Sequence, residues 1–312
     1  MKTCIVTGGC GFIGARLVHH LLETTDWNVV VFDKMTYAAH EGKRLLDVRF
    51  NPRLSLHDTD ISFMPFPLDV NPHYIAHLAA ETHVDNSILN PGPFVESNIV
   101  GTYRMLQYAR GQESLEKFLM FSTDEVFGPA DGATFTEWSR HNPTNPYSAT
   151  KSAGEQLALA WANTYGLPVV ISHCCNVFGE LQHEEKFIPK VVKGIKKGTG
   201  VTIHADKDGK PGSRMYVYAG DVARAIMLML EHGAIREKYN IPGREVSNWD
   251  MVVKIAEIMG KPFCGRVSYP YKERPGWDFR YDISGDILRQ LGWEPTENFD
   301  ALLKKVVESY SL

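Results

Sequence analysis

The 312-residue sequence predicts an α/β fold, a doubly wound parallel sheet with a smaller, mostly helical second domain. Three observations carry this. Short apolar runs alternate with helix-length runs up to Asn176. The first apolar run ends in a glycine-rich turn that opens a helix, and after Asn176 the alternation gives way to polar loops and a basic helix. The predicted division assigns residues 1–176 and 215–245 to the sheet domain, and residues 177–214 and 246–312 to the smaller one.

Residues 3–6 read as a buried strand. Thr7-Gly8-Gly9-Cys10-Gly11-Phe12-Ile13-Gly14 follows it and leads into a helix with Ile13, Leu17 and Leu21 on one face. Glycines at 8, 11 and 14 let the backbone turn tightly, approach a pyrophosphate and pack helix on strand, with the helix N-terminus facing the phosphates. A second strand at residues 28–32 ends in Asp33, about twenty residues further on. A carboxylate there accepts both ribose hydroxyls and repels a 2′-phosphate, which favours NAD over NADP. Taken singly, each feature also fits a structural turn and a surface aspartate. A third strand near residues 54–56 leads into Asp60 and Ile61, and a fourth, residues 74–79, leads into Ala80-Glu81-Thr82-His83-Val84-Asp85.

The crossover at residues 62–73 holds Pro65, Pro67 and Pro72, so an irregular connection is expected instead of a helix. That would leave one sheet face thinly covered, or covered by another subunit or loop. Helical runs at residues 94–109 and 148–165 flank a strand at 117–121, and a further strand follows at 168–173. Beyond Asn176 come a polar loop at 179–185, a helix at 187–197, a strand at 201–204, a glycine- and lysine-rich loop at 206–213, and a strand at 215–218. A helix at 248–259, an irregular stretch through Arg280 and closing helices near Asp286 and Phe299 complete the chain.

With 44% hydrophobic and 22% charged residues the composition is that of an ordinary globular protein, and a net charge of −4 offers no basic footprint. Nucleic acid polymers and anionic membranes are therefore not expected partners. Cys4, Cys10, Cys174, Cys175 and Cys264 show no metal-ligand spacing, and His77 and His83 are no metal pair on a strand, so no metal is expected. Free thiols and an N-terminus with no signal-peptide pattern point to the cytoplasm.

The chemistry-bearing stretch is Phe121-Ser122-Thr123-Asp124-Glu125-Val126-Phe127-Gly128, a strand end with a hydroxyl and two adjacent carboxylates. Strand ends of an open parallel sheet are where ligands sit. Further on, Tyr147 and Lys151 lie one helical turn apart and share a face. An ammonium beside a phenol lowers its pKa and makes tyrosine a usable base. Alone, the Tyr–Lys spacing also describes a solvated helix face. Adjacent strand residues point to opposite faces, so Asp124 and Glu125 can both reach a ligand only if the strand has already ended.

The order of glycine turn, Asp33, His77-Leu78-Ala79-Ala80-Glu81-Thr82, Ser122-Thr123-Asp124-Glu125-Val126-Phe127-Gly128, Tyr147-Ser148-Ala149-Thr150-Lys151, Asn176, Arg214 and Arg274-Pro275-Gly276-Trp277-Asp278 resembles the extended short-chain dehydrogenase/reductase family, with its Rossmann sheet. Within that family it resembles nucleotide-sugar 4,6-dehydratases of the dTDP-glucose and UDP-glucose type, over nearly the whole chain. The Asp-Glu pair is the most specific match, since related epimerases and decarboxylases keep the tyrosine and lysine without it. The resemblance implies a lyase that uses NAD catalytically. Tyr147 would take the O4 proton as C4 is oxidised, with Lys151 lowering its pKa and Thr123 on the same oxygen. Glu125 would take the C5 proton and Asp124 protonate the departing C6 hydroxyl, which requires their pKa values to be driven apart.

By the same resemblance, NAD is held by Gly8, Gly11, Phe12, Ile13, Gly14 and Asp33. Tyr37, Asp60 and Ile61 would lie around the adenosine, and Leu78, Ala79 and Ala80 beside the cofactor with Tyr147 and Lys151. Thr82 would contact the hexose, and Asn176, Lys186, Arg214 and Arg274 the nucleoside diphosphate. The two long helical runs resemble those through which the family forms a homodimer by a four-helix bundle. The chain departs from the family pattern at Trp277, at Cys174-Cys175 and at Val177-Phe178-Gly179-Glu180, and its 206–213 loop is about three residues longer than in the relatives it resembles. A 4-epimerase or other dehydratase of this fold, and a catalytically silent NAD-binding module, are the competing readings.

Overall fold

The computed structural model describes residues 1–63, 70–262, 266–268, 278–295 and 298–311. Strand β1 (Thr3–Thr7), helix α1 (Phe12–Thr24) and strand β2 (Asn28–Asp33) form the first unit. A kinked 3₁₀ segment, Tyr37–Leu45, leads to β3 (Leu54–Asp58) and β4 (Tyr74–His77). The described residues of the β3–β4 crossover, 59–63 and 70–73, contain no helix; residues 64–69, with Pro65 and Pro67, lie outside the described residues.

After α2 (Val84–Leu89), one long helical run passes from α3 (Gly92–Val95) through a π turn (Glu96–Gly101) into α4 (Thr102–Arg110). Then come β5 (Lys117–Thr123), a 3₁₀ turn (Asp124–Phe127), α5 (Pro146–Tyr165), β6 (Val169–Cys174) and β7 (Asn176–Phe178). The remainder comprises α6 (Phe187–Lys197), β8 (Thr202–His204), β9 (Ser213–Tyr218), α7 (Ala219–His232), β10 (Lys238–Ile241), β11 (Arg244–Ser247), α8 (Asn248–Ile258), β12 (Arg266–Ser268), α9 (Asp286–Gln290) and α10 (Phe299–Ser311).

Seven parallel strands form the main sheet in the order β10-β6-β5-β4-β1-β2-β3. Alternation along each strand feeds two separate cores. Cys4, Val6, Val29 and Val31 face Leu17, Leu21, Ile226 and Leu230 of α1 and α7, whereas Ile5, Phe32, Ile75 and Phe118 face Met105, Leu106, Ala158 and Ala162 of α4 and α5. Both faces are apolar, so the strands read as continuous runs. A third core joins α6, α8 and α10 through Val191, Ile255, Leu303 and Val306, with Tyr216 and Val246 supplied by the β11-β9-β7 sheet.

The strand order reverses between β1 and β4, and a crevice opens there at the carboxyl ends. Thr7 ties the two ends together. Its Oγ1 accepts the N–H groups of Leu78 and Ala79, each at 3.1 Å, and lies 2.9 Å from His77 Nδ1. Gly8 then turns away with φ +69°, where a Cβ would fall 2.8 Å from the Ala79 backbone.

The π turn contains Asn98. Its carboxamide accepts the Glu81 N–H at 2.9 Å and donates to Glu81 O at 3.0 Å and Thr150 Oγ1 at 2.9 Å, fixing the loop after β4 against α5. Such turns often mark functional segments. Among the described residues no helix is long and apolar enough to cross a membrane.

Gly8→Ala is expected to cost roughly 2–4 kcal/mol, from a left-handed alanine and overpacking against backbone. Urea unfolding checks this, and a loss below about 0.5 kcal/mol would show the β1–β4 seam to be looser than described.

Candidate active site

A cavity of ≈ 320 Å³ lies along the carboxyl ends of β1, β2, β4, β5 and β6. The glycine turn forms one end. The first turn of α1 carries no acidic residue and its N-cap, Gly11, makes no side-chain cap, so N–H groups remain for a phosphate. A Cβ at Gly14 would sit 2.2 Å from Gly8 O, so the turn closes only with glycine. Asp33 accepts the N–H groups of Cys10 and Met35, each at 2.9 Å, and this carboxylate lies on the cavity wall. Burial raises its pKa, against the hydrogen bonds from Met35 and Cys10. A pyrophosphate cradle beside a ribose-binding carboxylate fits a dinucleotide such as NAD.

Gly8, Gly11, Phe12, Ile13 and Gly14 all line the cavity, as do Ile61, Leu78, Ala79 and Ala80. Tyr37 and Asp60 do not. Tyr37 is 47% exposed with its ring against His183, and Asp60 caps its own turn by accepting from Ser62 N–H and Oγ at 2.9 and 2.7 Å.

At the other end, β5 stops at Thr123, whose Oγ1 accepts the Glu125 N–H at 3.3 Å and starts the 3₁₀ turn. Gly128 closes that turn at φ +78°, in a space where a Cβ would meet Asn142 O at 2.4 Å. The strand has therefore ended before the carboxylates, and both fall on the same end of the sheet. Glu125 reaches the cavity wall with Thr123, Tyr147 and Lys151, while Asp124 lies behind it, 2% exposed. Thr123 Oγ1 donates to Asp124 Oδ1 at 3.3 Å, and Asp124 Oδ2 has no hydrogen-bond partner.

The electrostatics separate the pair. Burial, then the Glu125 charge, pushes Asp124 up to about 8, so it holds its proton at neutral pH. Burial also raises Glu125, but Arg214 and Lys186 pull it back. The pair thus offers a protonated acid beside a second carboxyl group whose ionised form two cations favour.

Tyr147 and Lys151 rise from the first turns of α5, which starts at a capping box of Asn145 and Ser148. Burial, then the Glu125 carboxylate, raises the Tyr147 pKa, and a hydrogen bond with Thr123 opposes the rise. Lys151 is itself lowered to about 8 by burial, with Glu155 opposing, and its Nζ donates to Phe121 O at 2.6 Å. Burial therefore favours the Tyr147 phenol within this chain.

Thr82, Asn176 and Lys186 share the cavity wall, and Lys186 Nζ lies 3.3 Å from Thr82 O and 3.4 Å from its Oγ1. Arg214 stands off the wall. It donates to the carbonyls of Ser213, Asp278 and Phe279 and stacks on Tyr281, from where it reaches Asp124 and Glu125 by charge alone. Arg274 and Trp277 lie outside the described residues. Cys174 and Cys175 are buried on the cavity wall, and burial raises both thiols.

Sequence reasoning gave no role to Arg44, Glu185 and Asp278. Arg44 donates to Leu181 O twice, at 3.0 and 2.8 Å, and to Cys10 O and Ala38 O, strapping the 179–185 loop to the glycine turn. Nothing in a polar segment such as 40–45 marks that reach. Glu185 sits beside Lys186, where a carboxylate next to a basic residue was a readable signal. Asp278, buried, accepts from Tyr281 and Thr144, each at 2.6 Å, and raises Glu125.

An unfolded aspartate releases its proton near ~3.9, whereas folded Asp124 keeps it to about 8. The stability this gives is full below the unfolded value and lost as pH rises through the folded one, by up to about 1.4 kcal/mol per pH unit. Asp124→Asn, which cannot ionise, should therefore gain stability relative to the parent between about pH 5 and about pH 8 in urea unfolding. A difference that stays constant over that range would contradict the assignment.

The NAD dependent epimerase/dehydratase family profile matches residues 4–242. A dTDP-glucose 4,6-dehydratase of Shigella flexneri is 37% identical, covering 98% of this chain and 92% of that protein. The crystal structure of a dTDP-glucose 4,6-dehydratase from Streptomyces venezuelae, with NAD bound, is 34% identical with a TM-score of 0.92, covering 99% of this chain and 97% of that one. A UDP-glucose 4-epimerase from Thermus thermophilus, also in complex with NAD, is 27% identical with a TM-score of 0.87, covering 99% of each chain. With its glycine-turn crevice and seven-stranded parallel sheet, the chain belongs to the NAD dependent epimerase/dehydratase family, in the extended short-chain dehydrogenase/reductase fold.

Proposed function

We propose that this protein is an NAD-dependent lyase that converts dTDP-glucose to the 4-keto-6-deoxyglucose nucleotide. The observation that carries the reading is the Asp124–Glu125 turn: a buried, protonated carboxyl and a second carboxylate at one strand end, beside Thr123 and Tyr147. dTDP-glucose is the first-choice substrate because the 4,6-dehydratase relatives carry that name; UDP-glucose shares the sugar and the diphosphate.

NAD supplies the hydride acceptor for C4, the hydride donor for C6 and a cationic ring. To take the O4 proton as C4 becomes a ketone, Tyr147 would have to enter the step as a phenolate, with the cationic ring and the Lys151 ammonium offsetting its burial and Thr123 hydrogen-bonding the same sugar oxygen. The ketone acidifies the C5 proton, which Glu125 removes. Asp124 gives its proton to the C6 hydroxyl, which leaves as water, and a proton returned to C5 completes the product. Lys151 holds the cofactor side of the cavity and Tyr147 in register; Asn176, Lys186 and Thr82 take the sugar and diphosphate. In this reading residues 1–176 and 215–245 serve NAD, and residues 177–214 and 246–312 the nucleotide sugar.

A 4-epimerase would use Tyr147 and Lys151 and leave the buried acid pair without a task. A silent module would have no reason to keep Asp124 protonated against Glu125. The reading also makes the protein a cytoplasmic homodimer. The run 92–110 and α5 would pack as a four-helix bundle about Val95, Tyr103, Trp161 and Tyr165, which are exposed or half-buried. Light scattering should give twice 35.1 kDa, and a monomer mass would defeat that part.

Purified protein incubated with dTDP-glucose, without added NAD, should release a 4-keto sugar lighter by one water. Glu125→Gln is expected to lower kcat by about 10²–10⁴ while reduced nicotinamide accumulates on the enzyme. Undiminished turnover by that variant would remove the basis for the dehydratase assignment.

A further inference from the structure

One helical turn beyond Lys151, the carboxylate of Glu155 is fully buried and enclosed by three nitrogen groups from outside its helix. Lys238 Nζ on β10 lies 2.7 Å from Oε1, His173 Nε2 on β6 lies 3.0 Å from Oε2, and His141 Nε2, in the segment before α5, lies 3.4 Å from Oε1. Burial pushes the Glu155 pKa up, but His173, His141 and Lys238 together outweigh it and hold the carboxyl well below the usual carboxylate range. The His141, Glu155 and His173 ligand atoms lie within 4.8 Å of one another, a spacing open to a cation. Lys238 already holds Oε1, and its charge opposes a metal there.

The far ring nitrogens are also fixed. His173 Nδ1 faces Asn240 Oδ1 at 2.9 Å, and His141 Nδ1 faces Ser152 Oγ at 2.8 Å. Phe127, in the turn that carries Asp124 and Glu125, packs on both imidazoles with ring centroids 4.7 and 5.5 Å away. The cluster thus adjoins the acid pair through Phe127 and Lys151 through α5.

We infer that Glu155 is a positioning residue for the oxidation step: its carboxylate, held by the buried Lys238, His173 and His141, keeps the Lys151 ammonium charged on the cavity wall. The inference rests on the reading that Tyr147 and Lys151 oxidise a nucleotide sugar. Lys151 and Glu155 are neighbours at i, i+4 on α5. The groups facing Lys151 leave Glu155 as its supporting anion. Tyr147 on the same helix is a phenol, β5 presents the Phe121 carbonyl, and His77 of β4 is kept neutral, lowered to about 3 by burial and then by Lys151 itself. Burial works against the ammonium, and Glu155 is the charge that opposes it. Facing Glu155 are Lys151, His141, His173 and Lys238; Glu137 lies beyond, near His173, accepting from Asn240 N–H at 3.3 Å.

Two readouts against pH test this. In a Glu125→Gln background, single-turnover formation of reduced nicotinamide from dTDP-glucose reports the Tyr147–Lys151 step. Calorimetric NAD affinity reports the Lys151 charge without turnover. Both should fall as Lys151 loses its proton, near pH 8. Glu155→Gln should move that limb down by about one pH unit, tenfold in proton concentration. Lys238→Met, which unmasks Glu155, should move it up, and Glu155→Asp should restore the parent limb. Opposite shifts are not produced by a merely structural role. Limbs that coincide with the parent while only amplitude or melting temperature changes would overturn the inference. If Glu155→Gln does not fold, Lys238→Met decides alone, an upward shift supporting the inference and an unmoved limb overturning it. Shifts in NAD affinity with no reduced nicotinamide from either nucleotide glucose would sink the reaction assignment and with it the role in oxidation, leaving only the charge coupling between Glu155 and Lys151.

Discussion

Everything the site does depends on where β5 stops. Two adjacent acids on a strand would face opposite sides of the sheet, one in each core. Thr123 prevents this by accepting the Glu125 N–H, and Gly128 completes the turn in a left-handed conformation against Asn142 O. The backbone between them is a single 3₁₀ turn, tight enough to bring both carboxylates to the carboxyl end of the sheet. The cost is a buried acid with one oxygen unpartnered. That cost is tolerable because the acid is neutral, and its neutrality is what the proposed chemistry needs from it.

Burial, more than pairing, sets the protonation states around the cavity. Asp124, Glu125, Tyr147 and Lys151 all have desolvation as the largest influence, and in each case it favours the neutral form. Charges then distinguish between them. Arg214 and Lys186 favour the Glu125 carboxylate, and Glu155 favours the Lys151 ammonium. Arg214 and Glu155, behind the cavity, and Lys186, on its wall, thus bias which groups carry charge. Arg214 acts in this way from off the cavity wall, with its donors given to backbone carbonyls of Ser213, Asp278 and Phe279.

The fold was legible where local pattern and tertiary role coincide. The runs at 117–121 and 168–173 are apolar because both sheet faces are covered, and except for Pro168 they lie within β5 and β6. Both strands continue past those runs because ladder pairing, Ser122 with His173 and Thr123 with Cys174, does not depend on side-chain polarity. The π turn escaped detection because its Asn98 binds Glu81 and Thr150, contacts that no local window contains. The glycine turn, Asp33, the acid pair and the Tyr–Lys spacing were readable as chemistry. Their charge states were not, since these follow from burial. Arg44 was invisible for a similar reason: its partner Leu181 is 137 residues away, in a loop shaped by a left-handed residue.

The account's central claim is that Tyr147, Glu125 and Asp124 act in sequence on one sugar while the hydride removed from C4 is returned to C6. dTDP-glucose carrying deuterium at C4, incubated with the protein in ordinary water and followed by NMR and mass spectrometry, tests it most directly. The label should be found at C6 of the 4-keto-6-deoxy product, with a solvent proton at C5. Label remaining at C4 with inverted configuration, or released to solvent, would contradict the account.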